Sequence, residues 1–142
     1  MDEATLERLR DAAALAFADG DVLFAYLFGS AATGRTHPRS DVDVAVFLDP
    51  EAGELDTLRV SLDLAGRLES ASGVGNVEVV VLNAAPLALQ GRAVRERRVL
   101  YSRDESTRVA YESLTLREFF DFDIHARRLD RELLRRHSEG AR

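Results

Sequence analysis

The pattern of apolar positions divides the chain into alternating helices and strands. Leu6, Leu9, Ala13 and Phe17 recur close to helical spacing, which predicts a helix over about residues 3 to 18, stopped at Gly20. VLFAYLF, 22 to 28, is an aromatic-rich apolar run of strand length. Gly29 to Gly34 is small and polar, suited to a turn that opens a short helix, and Pro38 and Ser40 mark a loop. DVDVAVFL, 41 to 48, alternates as a strand and is ended by Asp49-Pro50 and Gly53. ELDTLRVSLDLAGRLES, 54 to 70, predicts an amphipathic helix with Leu55, Leu58, Leu62, Ala65 and Leu68 as its apolar stripe. VEVVVLN, 77 to 83, is a third strand. Pro86 opens a helix running to about Arg97, and RVLYS, 98 to 102, is a short edge strand. Residues 104 to 136 read as helical, with a break expected near Asp121 to Asp123. This order predicts a mixed α/β layer fold. It is expected to form a single domain over 1–142, with 104–138 as a helical C-terminal extension.

Side chains alternate across a strand, so each strand can be split into two faces. Val42, Val44, Val46 and Leu48 share one face of the second strand, and Asp41, Asp43, Ala45 and Phe47 share the other. In the third strand Val77, Val79 and Val81 lie together and Glu78 lies opposite. Each strand therefore offers one apolar face to helices and carries carboxylates near its start on the other. If the two strands are neighbours, their acids converge.

Composition narrows the setting. The chain has 142 residues, 46% of them hydrophobic and 31% charged, as in a globular domain with a real core. No apolar run is long enough to span a bilayer, and the amphipathic N-terminus MDEATLERLR has no basic segment followed by an apolar one, so neither a membrane span nor a secretory signal is expected. There are no cysteines, which excludes disulfides and thiolate metal sites and makes the cytoplasm the expected location. The net charge is −6 and every basic residue is Arg. That balance argues against duplex nucleic acid as a partner, since phosphate neutralisation needs clustered positive charge. Residues 103 to 142 hold nine Arg and nine acids, so the deficit lies upstream and the Arg-rich tail can still make local contacts with phosphates or with an acidic partner.

The candidate chemistry is concentrated in FGSAATGRTHPRSDVDVAVFL, 28 to 48. Gly29-x4-Gly34-Arg35-Thr36 has the spelling of a P-loop with Arg in place of Lys. A P-loop, however, feeds a full-length helix, and here Pro38 and a strand at Asp41 leave no room for one. The competing pattern is Gly29-Ser30, ten residues, then Asp41-Val42-Asp43. Two aspartates on one strand face, about 6 to 7 Å apart, repel. A divalent cation reverses that repulsion, and oxygen donors without Cys or His select Mg²⁺ or Mn²⁺. The structural alternative is that Asp41 caps a turn and Asp43 is simply solvated.

The stretch 28 to 48 resembles the core motif of the polymerase β-type nucleotidyltransferase superfamily, and is most similar to minimal nucleotidyltransferases paired with HEPN-domain proteins. The likeness runs from about residue 3 to 102. It implies a small mixed β-sheet with helices packed mainly on one face, followed by a C-terminal helix. It implies that Gly29 lets the chain approach a triphosphate and that Ser30 bonds a phosphate oxygen. Asp41 and Asp43 would hold metal, two Mg²⁺ ions with Mn²⁺ as a substitute, and Glu78 would stand as the third carboxylate, where the family usually has Asp. Arg39 and Ser40 join the expected nucleotide contacts; Arg35 and Arg39 either neutralise phosphate or are solvated loop residues. The implied function is that of an antitoxin that moves AMP from ATP to a tyrosine hydroxyl of a HEPN ribonuclease toxin. The alternatives are an antitoxin that acts by binding alone, a stand-alone small-molecule nucleotidyltransferase, and a P-loop-like phosphohydrolase.

Overall fold

The structure, a computed structural model, describes residues 1–34, 41–54 and 56–140, of which residues 139 and 140 are described as backbone only. The elements are α1 (Glu3–Phe17), β1 (Val22–Phe28), α2 (Ser30–Thr33), β2 (Val42–Leu48), α3 (Thr57–Ser72), β3 (Val77–Val81), α4 (Leu87–Glu96), β4 (Arg98–Ser102) and α5 (Glu105–Gly140). The expected order is present, with small shifts at the ends. β3 stops at Val81 because a 3-10 turn, Leu82–Ala84, follows it. Within that turn the Asn83 side chain takes over the ladder: it accepts from the Leu48 N–H and donates to the Leu48 carbonyl, both at 2.8 Å.

The strands form one mixed sheet in the order β3-β2-β1-β4. β1 runs antiparallel to both β2 and β4, and β2 runs parallel to β3. A parallel pair needs a crossover, and α3 supplies it. The larger core cluster joins the Val42, Val44, Val46 and Leu48 face and the Val77, Val79 and Val81 face to Leu6, Leu9, Ala13 and Phe17 of α1 and to Leu64 and Leu68 of α3. The opposite face carries Phe24, Tyr26, Phe28 and Ala45, covered by Ala93 and Val94 of α4. Tyr111 of α5 also packs there, 5.4 Å from the Phe24 ring and 4.9 Å from Phe47.

Two expectations are corrected. In α3 the expected Leu68 is buried and Ala65 packs against the core, but the rest of the row that enters it is Leu64 with Val60 partly buried, whereas the expected Leu58 and Leu62 are 68% and 66% exposed. Two apolar rows run along this helix, and the sheet accepts only one. Leu55 lies outside the described residues. In α5 no break occurs near Asp121 to Asp123. That segment contains neither Gly nor Pro, and Asp123 pairs with Arg127 one turn on at 3.2 Å, which favours continuity.

A buried ionic knot ties α5 to the sheet. Glu112, 6% exposed, accepts from the Tyr26 hydroxyl at 2.9 Å, pairs with Arg97 at 2.9 Å and with Arg108 at 2.9 Å. Burial, reinforced by the Glu112 charge, raises the Tyr26 hydroxyl far above its ordinary pKa, so it stays a donor. A carboxylate that remains buried in this way needs such partners. α5 stays packed on the body beyond this contact, with Thr115 buried and Leu116 against the second core cluster, and its residues 127–138 are all exposed.

α4 and α5 touch through Gly91. A methyl group there would meet the Phe119 ring at 2.1 to 2.8 Å, near the root of that side chain. Gly91→Ala is therefore expected to cost about 1–3 kcal/mol, the usual range for overpacking, despite alanine's better helix propensity. Urea denaturation checks this, and in a Phe119→Ala background the same substitution should become neutral or stabilising.

Candidate functional site

β2 is flanked by β1 on one side and β3 on the other, and its register aligns the candidate residues. Phe28, the last residue of β1, pairs with Asp43, and Asp43 pairs with Glu78 of β3. Paired residues point to the same face. The end of the first strand, the second aspartate and the glutamate therefore lie in one row across the sheet. Asp43 is half-buried, Glu78 is exposed on the edge strand, and Asp41 is exposed just ahead of β2.

Gly29 turns the chain at the end of this row. Its φ of 73° and ψ of −154° lie in a region that essentially only glycine adopts. A Cβ here would also sit 2.5 Å from an Asp43 carboxylate oxygen and 3.6 Å from the Arg92 guanidinium. Backbone and aspartate are thus in direct contact, and α2 begins at Ser30 with Ala32 and Thr33 N–H groups both returning to the Gly29 carbonyl at 3.1 Å. Arg35, Arg39 and Ser40 lie outside the described residues.

Two residues of α4 complete the site, and neither was anticipated from the sequence. Glu96 accepts the Gly29 N–H at 2.9 Å. Arg92 pairs with Glu96 at 3.4 Å and places its guanidinium 5.8 Å from the centre of the Phe28 ring. The only prior signal was an Arg–Glu spacing of four on a helix, which any solvated helical face displays.

Asp43 carries the electrostatic signature of the site. Burial raises its carboxyl above the ordinary aspartate range; the Glu78 charge adds to this, Arg92 opposes it, and Asp41 and Glu96 raise it further. Among the described residues no three His, Cys, Asp or Glu side chains are gathered so as to hold an ion unaided. Mg²⁺ does not require that, since it is commonly bound by one or two carboxylates together with substrate phosphates and water. A hard oxygen donor set in which Asp43 is repelled by its neighbours fits such a cation. A separate groove of about 800 Å³ lies between α1 and α3, lined by Leu15, Leu62 and Arg67, on the other side of the sheet from the acids.

Residues 13–106 match the family model of polymerase beta nucleotidyltransferases. The chain belongs to this family. Comparison with curated proteins gives no significant match. Among solved structures, this nucleotidyltransferase fold is similar to a chain of a toxin–antitoxin complex with AMP-PNP, at a TM-score of 0.68 and 23% identity, covering 88% of this chain and 98% of that one. It is similar to a chain of the complex of tri-AMPylated Shewanella oneidensis HEPN toxin with MNT antitoxin, at 0.67 and 20%, covering 91% and 98%. It is also similar to a chain of the MntA–HepT toxin–antitoxin complex, at 0.64 and 19%, covering 94% and 99%. At these identities the likeness is one of fold. No described helix of the chain is long and apolar enough to cross a membrane.

The raised Asp43 pKa has a consequence for stability. Below the ordinary carboxylate range the group is neutral in both folded and unfolded chains, and no penalty exists. As pH rises through the raised pKa, the folded chain must carry a disfavoured charge and loses stability relative to the unfolded one. Asp43→Asn is therefore expected to raise the thermal midpoint at pH 7 in metal-free buffer, with the gain shrinking towards pH 3. Calorimetry across that range checks the sign.

Proposed function

We propose that this chain is an antitoxin nucleotidyltransferase that transfers AMP from ATP to a tyrosine hydroxyl of a HEPN-type ribonuclease toxin and thereby inactivates it. The observation that carries this reading is the row formed by the Gly29 bend, Asp43 and Glu78, in a chain of the nucleotidyltransferase family whose fold resembles chains of such complexes.

Ser30 and the turn that follows Gly29 would receive the triphosphate. Asp41, Asp43 and Glu78 would share Mg²⁺ with the substrate phosphates and water, and the ion would supply charge neutralisation on the phosphates and acidify the acceptor hydroxyl. The tyrosine oxygen forms a bond to the α-phosphorus, the bond from that phosphorus to the bridging oxygen breaks, and pyrophosphate leaves. Glu78 is assigned to take the hydroxyl proton. It is one methylene longer than the aspartate usual in the family and lies exposed on the edge strand. Arg39 and Ser40, which lie outside the described residues, are assigned to phosphate contact. The proposed setting is the cytoplasm. The partner is assigned to the distal part of α5, where Leu129, Leu133 and Leu134 are 53%, 53% and 69% exposed among arginines.

Incubation with ATP labelled at the α-phosphate, Mg²⁺ and the candidate toxin is expected to label the toxin and release pyrophosphate. Binding without label would instead favour an antitoxin acting by contact alone. Label on free small hydroxyl compounds without the toxin would favour a stand-alone transferase. Asp41→Asn and Asp43→Asn are each expected to lower transfer by about 100-fold or more, as expected for removal of a phosphate or metal clamp, with the fold retained by circular dichroism. Glu78→Gln should lower kcat far more than it weakens ATP binding, because its assigned task is the proton.

A further inference from the structure

The Gly29 bend is held from two sides. Its carbonyl is bound by α2, through the N–H groups of Ala32 and Thr33 and the Thr33 hydroxyl at 3.2 Å. Its N–H is bound by Glu96 at 2.9 Å. A residue without a side chain, in a conformation available only to glycine, has no packing of its own to keep it there. The bend must nonetheless stay within contact distance of Asp43. The Glu96 carboxylate reaches it from α4, a separate element 67 residues away in sequence. That end of α4 is itself immobilised, because the neighbouring Arg97 is locked into the Glu112 knot. Arg92, one turn before, holds Glu96 from behind at 3.4 Å and rests on the Phe28 ring.

We propose that Glu96 is a positioning residue: its hydrogen bond to the Gly29 N–H fixes the glycine–serine bend against Asp43 and presets it to receive the triphosphate. This rests on the reading of that bend as the nucleotide site. It carries a corollary for the ligand. The Gly29 N–H is already spent on a carboxylate, so phosphate oxygens are met by the Ser30 hydroxyl and the groups after it, not by Gly29 itself. A nearby anion also sets a lower limit on how close the triphosphate comes to α4, since Glu96 repels it. The bend is therefore approached from the α2 side.

The test separates this role from a general structural one. Glu96→Gln keeps an oxygen that can accept the N–H, whereas Glu96→Ala removes it. In the nucleotide-free protein the Gly29 amide is expected to exchange with deuterium about tenfold or more faster in Glu96→Ala than in the parent chain, with protection kept to within about threefold in Glu96→Gln. Binding of a non-hydrolysable ATP analogue with Mg²⁺ should weaken by about tenfold or more in the alanine variant and little in the glutamine variant, and KM for ATP should rise more than kcat falls. Unchanged Gly29 exchange in Glu96→Ala overturns the proposal, as does a glutamine variant that behaves like alanine in both measurements. If the parent chain binds no nucleotide, the functional reading fails, while the exchange measurement still decides whether Glu96 anchors the bend.

Discussion

Asp43 stands where two hydrogen-bond ladders of opposite sense meet. On one side β2 pairs antiparallel with β1, and on the other it pairs parallel with β3. Antiparallel pairing sets the end of one strand beside the start of the next, so the bend leaving β1 arrives at Asp43. Parallel pairing sets two strand starts side by side, so Glu78 arrives there too. A sheet of only one sense would not bring both to the same residue. The crossover helix α3 and the valine-rich inner faces that bury it are therefore as much a condition of the site as the acids are.

The same row explains why the site is charged rather than packed. Past Phe28 the second core cluster ends, and α4 turns from the apolar Ala93 and Val94 to Arg92 and Glu96. Asp43 lies on that border, partly withdrawn from water and facing three other carboxylates with one guanidinium to balance them. Folding pushes these groups together because the surrounding apolar contacts outweigh the repulsion.

Much of this could be read from the chain. Alternation alone sorted Asp43 and Glu78 onto outward faces, since strand periodicity is rigid and valines mark the inner side. The helices were less legible. In α3 two apolar rows compete; Leu68 was read correctly, but only the shape of the sheet selects Leu64 over Leu58 and Leu62. In α5 the Asp-Phe-Asp run suggested an interruption, yet nothing in it prevents helical hydrogen bonding. Arg92 and Glu96 were invisible for a different reason. Their meaning depends on where α4 lands, and that is decided by Gly91 against Phe119 and by Arg97 against Glu112, contacts between elements far apart in sequence.

The distal part of α5 stands clear of the body, so a molecule gripped there is not covering the acids. If the partner is held there, as proposed, tethering would do for the acceptor what tight recognition would otherwise do. A hydroxyl carried on the gripped molecule is confined to a small volume around the sheet edge, at an effective concentration of the order of millimolar for a short flexible link. On the proposed reading, the acidic end could remain shallow and undemanding about what surrounds that hydroxyl, because selectivity would be exercised elsewhere along the helix.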